Sequence, residues 1–249
     1  MMRSVFVIAL LACVYAFAVP DSLSVPVGTS GVQSLTGIWW PKAATSKKSA
    51  KVKKPGKNKR ENAPVVVWFH GGMGSSNCAK GLVAGAGFAD FYPGKIVVSA
   101  SACRENHWVT KGMLDAVDAA LDSVAARRKS PVDEISLVGI SDGALGVLFY
   151  SMQGKRRVKD RLLMSSFGKM LGDAPAIAGV NADRMRSGRW RFLQGGKDRL
   201  YPSEQTVPWI TEFCKAVQVD CELRFDPEGE HDWSYWSSKR MDWIREATK

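Results

Sequence analysis

The amino-acid sequence predicts an α/β fold with a mostly parallel central sheet and helices on both of its faces. Short runs of Val, Ile and aromatic residues alternate along the 249-residue chain with segments whose apolar residues recur at helical spacing. Strands that alternate with helices form βαβ units, and strands that are apolar at nearly every position are buried on both faces. The composition, with 45% hydrophobic and 24% charged residues, excludes a disordered or fibrous protein.

The first segment of the chain has the pattern of a secretory signal peptide. An apolar run from Val5 to Ala18 follows the basic residue Arg3 and is too short to span a bilayer. Residues 16–18, Ala-Phe-Ala, have the small-x-small pattern of a cleavage site. We therefore expect a signal peptide at residues 1–18, a secreted or periplasmic location, and no transmembrane span in the mature chain. An uncleaved anchor and a lipoprotein attached at Cys13 are the alternatives.

Most of the positive charge is concentrated in one segment near the N-terminus. Residues 19–34 show no helical or strand period and are predicted to be an N-terminal extension of a single domain at 35–249, whose first strand is Leu35–Trp40. A flexible basic loop at 42–60 holds nine Lys or Arg residues and no acidic residue, in a chain with a net charge of +11. The rest of the mature chain is close to neutral and does not indicate specific nucleic-acid binding. The loop itself predicts weak contact with anionic surfaces.

The remaining elements alternate along the chain after that loop. The predicted strands are Pro64–His70, Lys95–Ala100, Glu134–Gly139, Arg161–Phe167, Arg189–Gln194 and Cys221–Phe225. The predicted helices cover Met113–Val124, Ala144–Met152, Ser203–Val217 and Trp233–Thr248. The stretch Phe167–Gly188 is long enough to form a flap, with Met170, Leu171 and Met185 as its apolar candidates. The chain is too short for a large lid domain.

A G-x-S-x-G sequence, Gly139–Gly143, stands between a predicted strand and a predicted helix. A serine on such a turn is held with its hydroxyl exposed above the sheet, and the flanking glycines let the two chain segments pass closely. Serine becomes a nucleophile when a base accepts its proton and a carboxylate orients that base. The sequence therefore predicts that Ser141 is a nucleophile.

The chain contains three histidines that can serve as the base. His231 follows the last predicted strand, so it comes last in the chain order Ser, acid, His that a nucleophile of this kind requires. His70 is expected to be structural, and His107, at the expected start of a helix, is the weaker candidate. Asp198 directly follows a predicted strand and is predicted to orient His231, although capping of the next helix is an alternative. The rival acids are Asp173, Asp183, Asp220 and Asp226.

Two backbone N–H groups are predicted to stabilise the oxyanion of a tetrahedral intermediate. One belongs to Asp142, the residue after the nucleophile. The other is expected in the glycine-rich turn after the first buried strand, at Gly72 with Met73 as its neighbour, because glycine readily adopts a conformation that points an N–H into the site. A tight turn without a catalytic role is the alternative.

The sequences HGGMG, GISDG, GGKD and EHDW together resemble the α/β-hydrolase superfamily over about residues 64–236. Within it, Gly229–Trp236 is similar to the esterase D, feruloyl esterase and mycolyltransferase group, in which a catalytic histidine precedes aromatic residues and the last helix. The resemblance implies a serine esterase with Ser141, Asp198 and His231 as its triad, and with neither cofactor nor metal.

Four cysteines remain after the predicted signal peptide, and this even number in an exported chain predicts two disulfides. The sequence alone leaves three pairings open. The resemblance implies that the strands preceding Cys78 and Cys103 lie side by side, which favours a Cys78–Cys103 bridge. The second bridge is then Cys214–Cys221, which would clip a helix to the strand that follows it.

An uncovered site favours an ester substrate that is bulky or attached to a polymer. Trp233 and Trp236 are expected to pack the last helix onto the sheet, and an aromatic wall of the site is the alternative role. Asp142 and Ala144 depart from the residues usual in the group without removing a catalytic atom. An acyltransferase with the same triad, and a non-catalytic binder of anionic polymers through residues 42–60, are the alternative functions.

Overall fold

The computed structural model describes residues 20–29, 31–41, 62–72 and 74–249. The predicted signal peptide, the basic loop and Met73 lie outside these residues. The strands are β1 (Asp21–Pro26), β2 (Gln33–Trp39), β3 (Val65–Phe69), β4 (Ile96–Ser99), β5 (Glu134–Ile140), β6 (Arg157–Met164), β7 (Arg189–Gly195) and β8 (Cys221–Asp226). The helices are α1 (Lys80–Ala89), α2 (Lys111–Arg128), α3 (Asp142–Gln153), α4 (Ala174–Gly179), α5 (Ala182–Met185), α6 (Ser203–Val217), α7 (Trp233–Lys239) and α8 (Met241–Glu246).

The eight strands form a single sheet in the described part of the chain, in the order β1-β2-β4-β3-β5-β6-β7-β8. Strands β3 to β8 pair in parallel, whereas β2 pairs antiparallel with both β1 and β4. The order reverses next to β3, which has β4 on one side and β5 on the other. In sheets of this kind, ligands bind at the carboxyl ends of the strands where the order reverses.

The buried strands have apolar residues on both faces, as their sequences predict. In β3, Val65, Val67 and Phe69 pack into one core layer, while Val66 and Trp68 pack into the other. The first layer also contains residues of α2, α3 and α6, and the second contains residues of α1, α7 and α8. The mostly parallel sheet with helices on both faces is therefore confirmed.

Four elements were not predicted from the sequence, namely β1, α1 and the short helices α4 and α5. The extension at 19–34 contains β1, an edge strand in which only Val25 is buried, so it has no apolar run to reveal it. Helix α1 contains several glycines, which are poor helix formers. The structure gives a reason for them, because a Cβ on Gly81 would collide with the Ala100 carbonyl and one on Gly85 with the Trp39 ring.

Several predicted elements differ from the structure in their bounds, and one predicted flap residue differs in its exposure. The predicted helix Trp233–Thr248 is two helices, because Arg240 leaves the helical conformation and forms an ion pair with Asp226 at 2.7 Å. Strand β6 begins at Arg157, four residues before the predicted start at Arg161. The prediction missed these residues because most of them are charged and form no apolar run. Met185 is fully buried in the core and is therefore not available to a flap.

Both disulfides have the expected pairing. Cys78–Cys103 joins the segment before α1 to the segment after β4, with 5.0 Å between the Cα atoms. Cys214–Cys221 joins α6 to β8, with 5.3 Å between the Cα atoms. Among the described residues, no helix combines the length and the hydropathy that a membrane span requires.

Candidate active site

Three predicted site residues meet at the carboxyl edge of the parallel sheet. Ser141 follows β5, Asp198 follows β7, and His231 lies between β8 and α7. The Ser141 hydroxyl donates to His231 Nε2 at 2.8 Å. His231 Nδ1–H donates to the Asp198 carboxylate, with distances of 2.9 and 3.0 Å to its two oxygens. The arrangement has the hydrogen bonds of a nucleophile, a base and an orienting acid.

Ser141 occupies a strained turn that the glycines around it make feasible. Its φ of 55° and ψ of −122° lie in a region that side-chain-bearing residues rarely adopt. The neighbouring chain segments cross so closely that a Cβ on Gly143 would collide with the Phe69 carbonyl, and one on Gly139 with the Gly143 carbonyl. These contacts explain both glycines of the G-x-S-x-G sequence.

Asp198 is held by several donors besides His231. Its Oδ1 accepts hydrogen bonds from the backbone N–H groups of Leu200 at 3.0 Å and Tyr201 at 2.8 Å. Burial alone would raise the pKa of Asp198, but the hydrogen bonds from His231 and these amides lower it below its ordinary value. The carboxylate is therefore ionised at neutral pH. It does not cap α6, whose N-cap residue is Pro202.

The four other candidates for the orienting acid either bind other side chains or lie in other elements. Asp220 pairs with Arg191, and Asp226 binds Arg240 and the Tyr235 hydroxyl. Asp173 is the residue before α4, and Asp183 lies within α5. In the described part of the chain, none of these four carboxylates forms a hydrogen bond with His231.

His70 is a structural residue in the loop after β3. Its Nδ1–H donates to the Gly71 carbonyl at 2.9 Å, and its Nε2 accepts from the Ala102 N–H at 3.1 Å. The His70 carbonyl accepts from Trp108 Nε1 at 2.9 Å. Burial lowers the pKa of His70 to about 4, so the ring is neutral at physiological pH and fixes the loop that precedes Gly72.

The buried neutral ring of His70 should make stability depend on pH. The unfolded chain takes up this proton below about pH 6.5, whereas the folded chain does so only near pH 4. Stability is therefore complete above pH 6.5 and falls between these values as the pH drops, by at most about 3 kcal/mol. Urea unfolding of the wild type and of His70→Gln, at about pH 7.5 and about pH 4.5, checks this.

The variant is expected to start from a lower stability and to lose less of it on acidification. Because Asp198 and other carboxylates also titrate at acid pH, the difference between the two proteins isolates the contribution of His70. His107→Gln, at a partly exposed histidine in the turn before α2, is the matched control for the substitution itself. An unchanged pH dependence in His70→Gln contradicts the assignment.

The two residues predicted to supply oxyanion donors both lie near Ser141, Gly72 in the pocket wall and Asp142 as the next residue in the chain. Gly72 has a φ of 93°, and it borders the same pocket as Ser141 and His231. Asp142 is the first residue of α3 and is buried. Neither of its carboxylate oxygens has a hydrogen-bond partner among the described residues, and burial raises the pKa of this side chain.

A pocket of about 420 Å³ opens beside Ser141 and His231. Trp68, Ile140 and Trp233 give it apolar walls. The Trp233 ring lies 4.9 Å from that of Trp68 and 5.2 Å from that of Phe91. The structure thus places Trp233 in the wall, and the same ring also packs against buried aromatic residues.

Trp236 does not line this pocket, which corrects its candidate role in an aromatic wall. It is fully buried, and its Nε1–H donates to the Ser165 hydroxyl at 3.0 Å. Both tryptophans belong to α7, but only the first residue of this helix, Trp233, reaches the pocket. Trp236 lies further along the helix and is surrounded by the core. Its role is to pack α7 on the sheet, which is the role that the sequence favours.

Sequence reasoning missed two residues near the nucleophile. The Tyr201 ring packs edge-on against His231, with 5.0 Å between centroids. Burial raises the pKa of Tyr201, and the neighbouring Ser141 hydroxyl opposes that shift. Lys80, at the start of α1, borders the pocket. Tyr201 follows Asp198 closely enough to have been considered, whereas Lys80 belongs to the helix that the sequence did not reveal.

Comparison with known proteins identifies the fold. A scan against protein-family models and a search of curated proteins give no match. A thermostable esterase has a TM-score of 0.63 at 14% identity, over 94% of this chain and 64% of that chain. An acylaminoacyl peptidase from Pyrococcus horikoshii has a TM-score of 0.62 at 13% identity, over 91% of this chain and 40% of that one. This chain therefore spans less than two thirds of either protein.

An S-formylglutathione hydrolase from Agrobacterium tumefaciens is matched over nearly its whole length. The TM-score is 0.60 at 14% identity, over 92% of this chain and 95% of that chain. Each of the three similarities covers more than nine tenths of this chain. The chain has the α/β-hydrolase fold.

Proposed function

We propose that the chain is a serine hydrolase that cleaves carboxylic esters through an acyl-enzyme. The observation that carries the proposal is the hydrogen-bonded series from Ser141 through His231 to Asp198, beside a pocket with apolar walls. Two of the similar structures are described as an esterase and an S-formylglutathione hydrolase, which supports this class of reaction.

Acylation begins with the attack of Ser141 Oγ on the carbonyl carbon of the ester. His231 Nε2 accepts the serine proton, and the ionised Asp198 stabilises the resulting imidazolium. The carbonyl oxygen becomes an oxyanion that accepts hydrogen bonds from the N–H groups of Gly72 and Asp142. The N-terminus of α3, at Asp142, adds a favourable helix dipole. When the C–O bond breaks, His231 returns its proton to the leaving alcohol.

Deacylation repeats the same proton transfers with a new nucleophile. Water gives a proton to His231, attacks the acyl carbon and releases the carboxylic acid, and Ser141 regains its proton. A second alcohol can replace water in this step, so competition by acceptor alcohols in the assay separates hydrolysis from acyl transfer.

Access to the pocket supports bulky or polymer-attached esters as substrates. Leu200, at the mouth of the pocket, has 62% of its surface exposed. Export after removal of residues 1–18 is part of the proposal, and the two disulfides support it, since such bonds persist in oxidising compartments.

A fluorophosphonate, which reacts with activated serines, tests the proposed function. The wild type should take up a single phosphonyl group per chain, and ester hydrolysis should fall in parallel with uptake. Rapid phosphonylation that leaves hydrolysis intact would contradict the proposal, because the activated serine and the hydrolytic site would then be different.

A further inference from the structure

The pocket beside Ser141 contains a cation that the proposed mechanism does not use. Lys80 is the first residue of α1 and borders the pocket together with Ser141, His231 and Gly72. Its ammonium nitrogen lies against Gly72, so closely that a Cβ at residue 72 would collide with Nζ. The positive charge therefore sits within reach of a substrate whose carbonyl oxygen is bound at Gly72.

No acidic side chain among the described residues is paired with this ammonium group. By contrast, other lysines of the structure form ion pairs with acidic side chains, as in Lys111–Asp115 and Lys197–Glu228. The positive charge of Lys80 opposes the burial that raises the pKa of Asp142, but no salt bridge joins the two side chains. No hydrogen bond to another described residue occupies the Lys80 ammonium group, which borders the pocket.

The surroundings of Lys80 define the shape of a matching ligand. Trp68, Ala84 and Trp233 are apolar residues that line the same pocket as the ammonium group. A second cation, the exposed Arg199, lines the adjoining cleft, which shares Leu200 and His231 with the pocket. The exposed Asp232 borders both spaces as well, but the ammonium group is the charge that faces the oxyanion position.

We propose that Lys80 is a specificity-determining residue that binds an anionic group of the substrate. The substrate class is then an ester that carries a carboxylate, separated from the ester carbonyl by an apolar or aromatic linker. This inference rests on the proposed ester hydrolysis at Ser141. A charge-assisted hydrogen bond from Lys80 to that carboxylate adds binding energy that a neutral ester of the same shape does not obtain.

Matched pairs of esters test this assignment and locate the anion. On the acyl side, p-nitrophenyl hemiglutarate is compared with p-nitrophenyl pentanoate. On the alcohol side, p-acetoxybenzoate is compared with its methyl ester. The ratio of kcat/KM for the anionic and neutral members is measured for the wild type, Lys80→Met and Lys80→Arg, at low and high salt.

We expect the wild type to favour the anionic member of one pair, and that pair identifies the side that carries the charge. Lys80→Met should lower this ratio by about tenfold or more, and Lys80→Arg should retain most of it. Added salt should reduce the wild-type ratio because the group is partly exposed. The activity of Lys80→Met on neutral esters shows that the variant is folded.

Three results would overturn the inference. If the wild type hydrolyses neutral esters but the ratio in both pairs is the same in Lys80→Met, the proposed function stands and the role of Lys80 is wrong. An equal loss on both members would assign Lys80 to general support of the site and not to specificity. If the folded wild type hydrolyses none of the four esters, the proposed function itself fails and the inference fails with it.

Discussion

Ser141→Ala should reduce kcat for short p-nitrophenyl esters by about 10⁴-fold or more. The substitution removes the only atom that can form the acyl-enzyme in the proposed mechanism, while the pocket and the hydrogen bond between His231 and Asp198 remain. Serine and alanine meet the same backbone strain at a φ of 55°, so the turn should survive the change. Initial rates, with the unfolding midpoint of each protein, provide the measurement.

The matched control is Ser234→Ala on α7, an exposed serine near His231 in the sequence. It should hydrolyse the same esters at the wild-type rate. Equal rates for Ser141→Ala and the wild type would mean that the observed hydrolysis does not depend on the serine of the G-x-S-x-G sequence.

Asp198→Asn should lower kcat by about 10³- to 10⁴-fold with little change in KM. The amide keeps the shape of the carboxylate, but it cannot stabilise the imidazolium and it favours the wrong tautomer of His231. The ionised state that this role requires is maintained by the hydrogen bonds that lower the pKa of Asp198. Steady-state kinetics on p-nitrophenyl esters, with both parameters determined, measure the effect.

Asp226→Asn is the informative comparison, because Asp226 is also a buried acid near the last strand. Its partners are Arg240 and Tyr235, so its loss should lower the unfolding midpoint and leave kcat of the folded fraction close to that of the wild type. The assignment of the acid is wrong if Asp226→Asn loses kcat while Asp198→Asn retains it.

The sequence predicts the part of the site that depends on strand ends and chain order. Ser141, Asp198 and His231 each follow a strand that is apolar enough to recognise, and parallel strands bring their carboxyl ends to one edge of the sheet. The glycines around Ser141 could also be interpreted, since their sequence spacing reflects the close crossing of two chain segments.

The rest of the site depends on contacts between elements, which the spacing of apolar residues in the sequence does not reveal. Helix α1 is rich in glycine because Trp39 and the segment after β4 lie against it. The low helix propensity of these glycines hides the helix in the sequence, so the position of Lys80 at its start could not be predicted. Trp233 and Trp236 look alike in the sequence, yet one borders the pocket and the other is fully buried. Edge strand β1 buries only one side chain and therefore resembles a loop.

Mapping the fluorophosphonate adduct to a peptide tests the central claim most directly, because it identifies the activated residue without any choice of substrate. The wild type, digested after labelling, should carry the phosphonyl group on Ser141 alone, and Ser141→Ala should remain unlabelled at the same probe concentration. Asp198→Asn should label more slowly at the same residue. A phosphonyl group on any other serine, or labelling of Ser141→Ala at the wild-type rate, would contradict the assignment of Ser141 as the nucleophile.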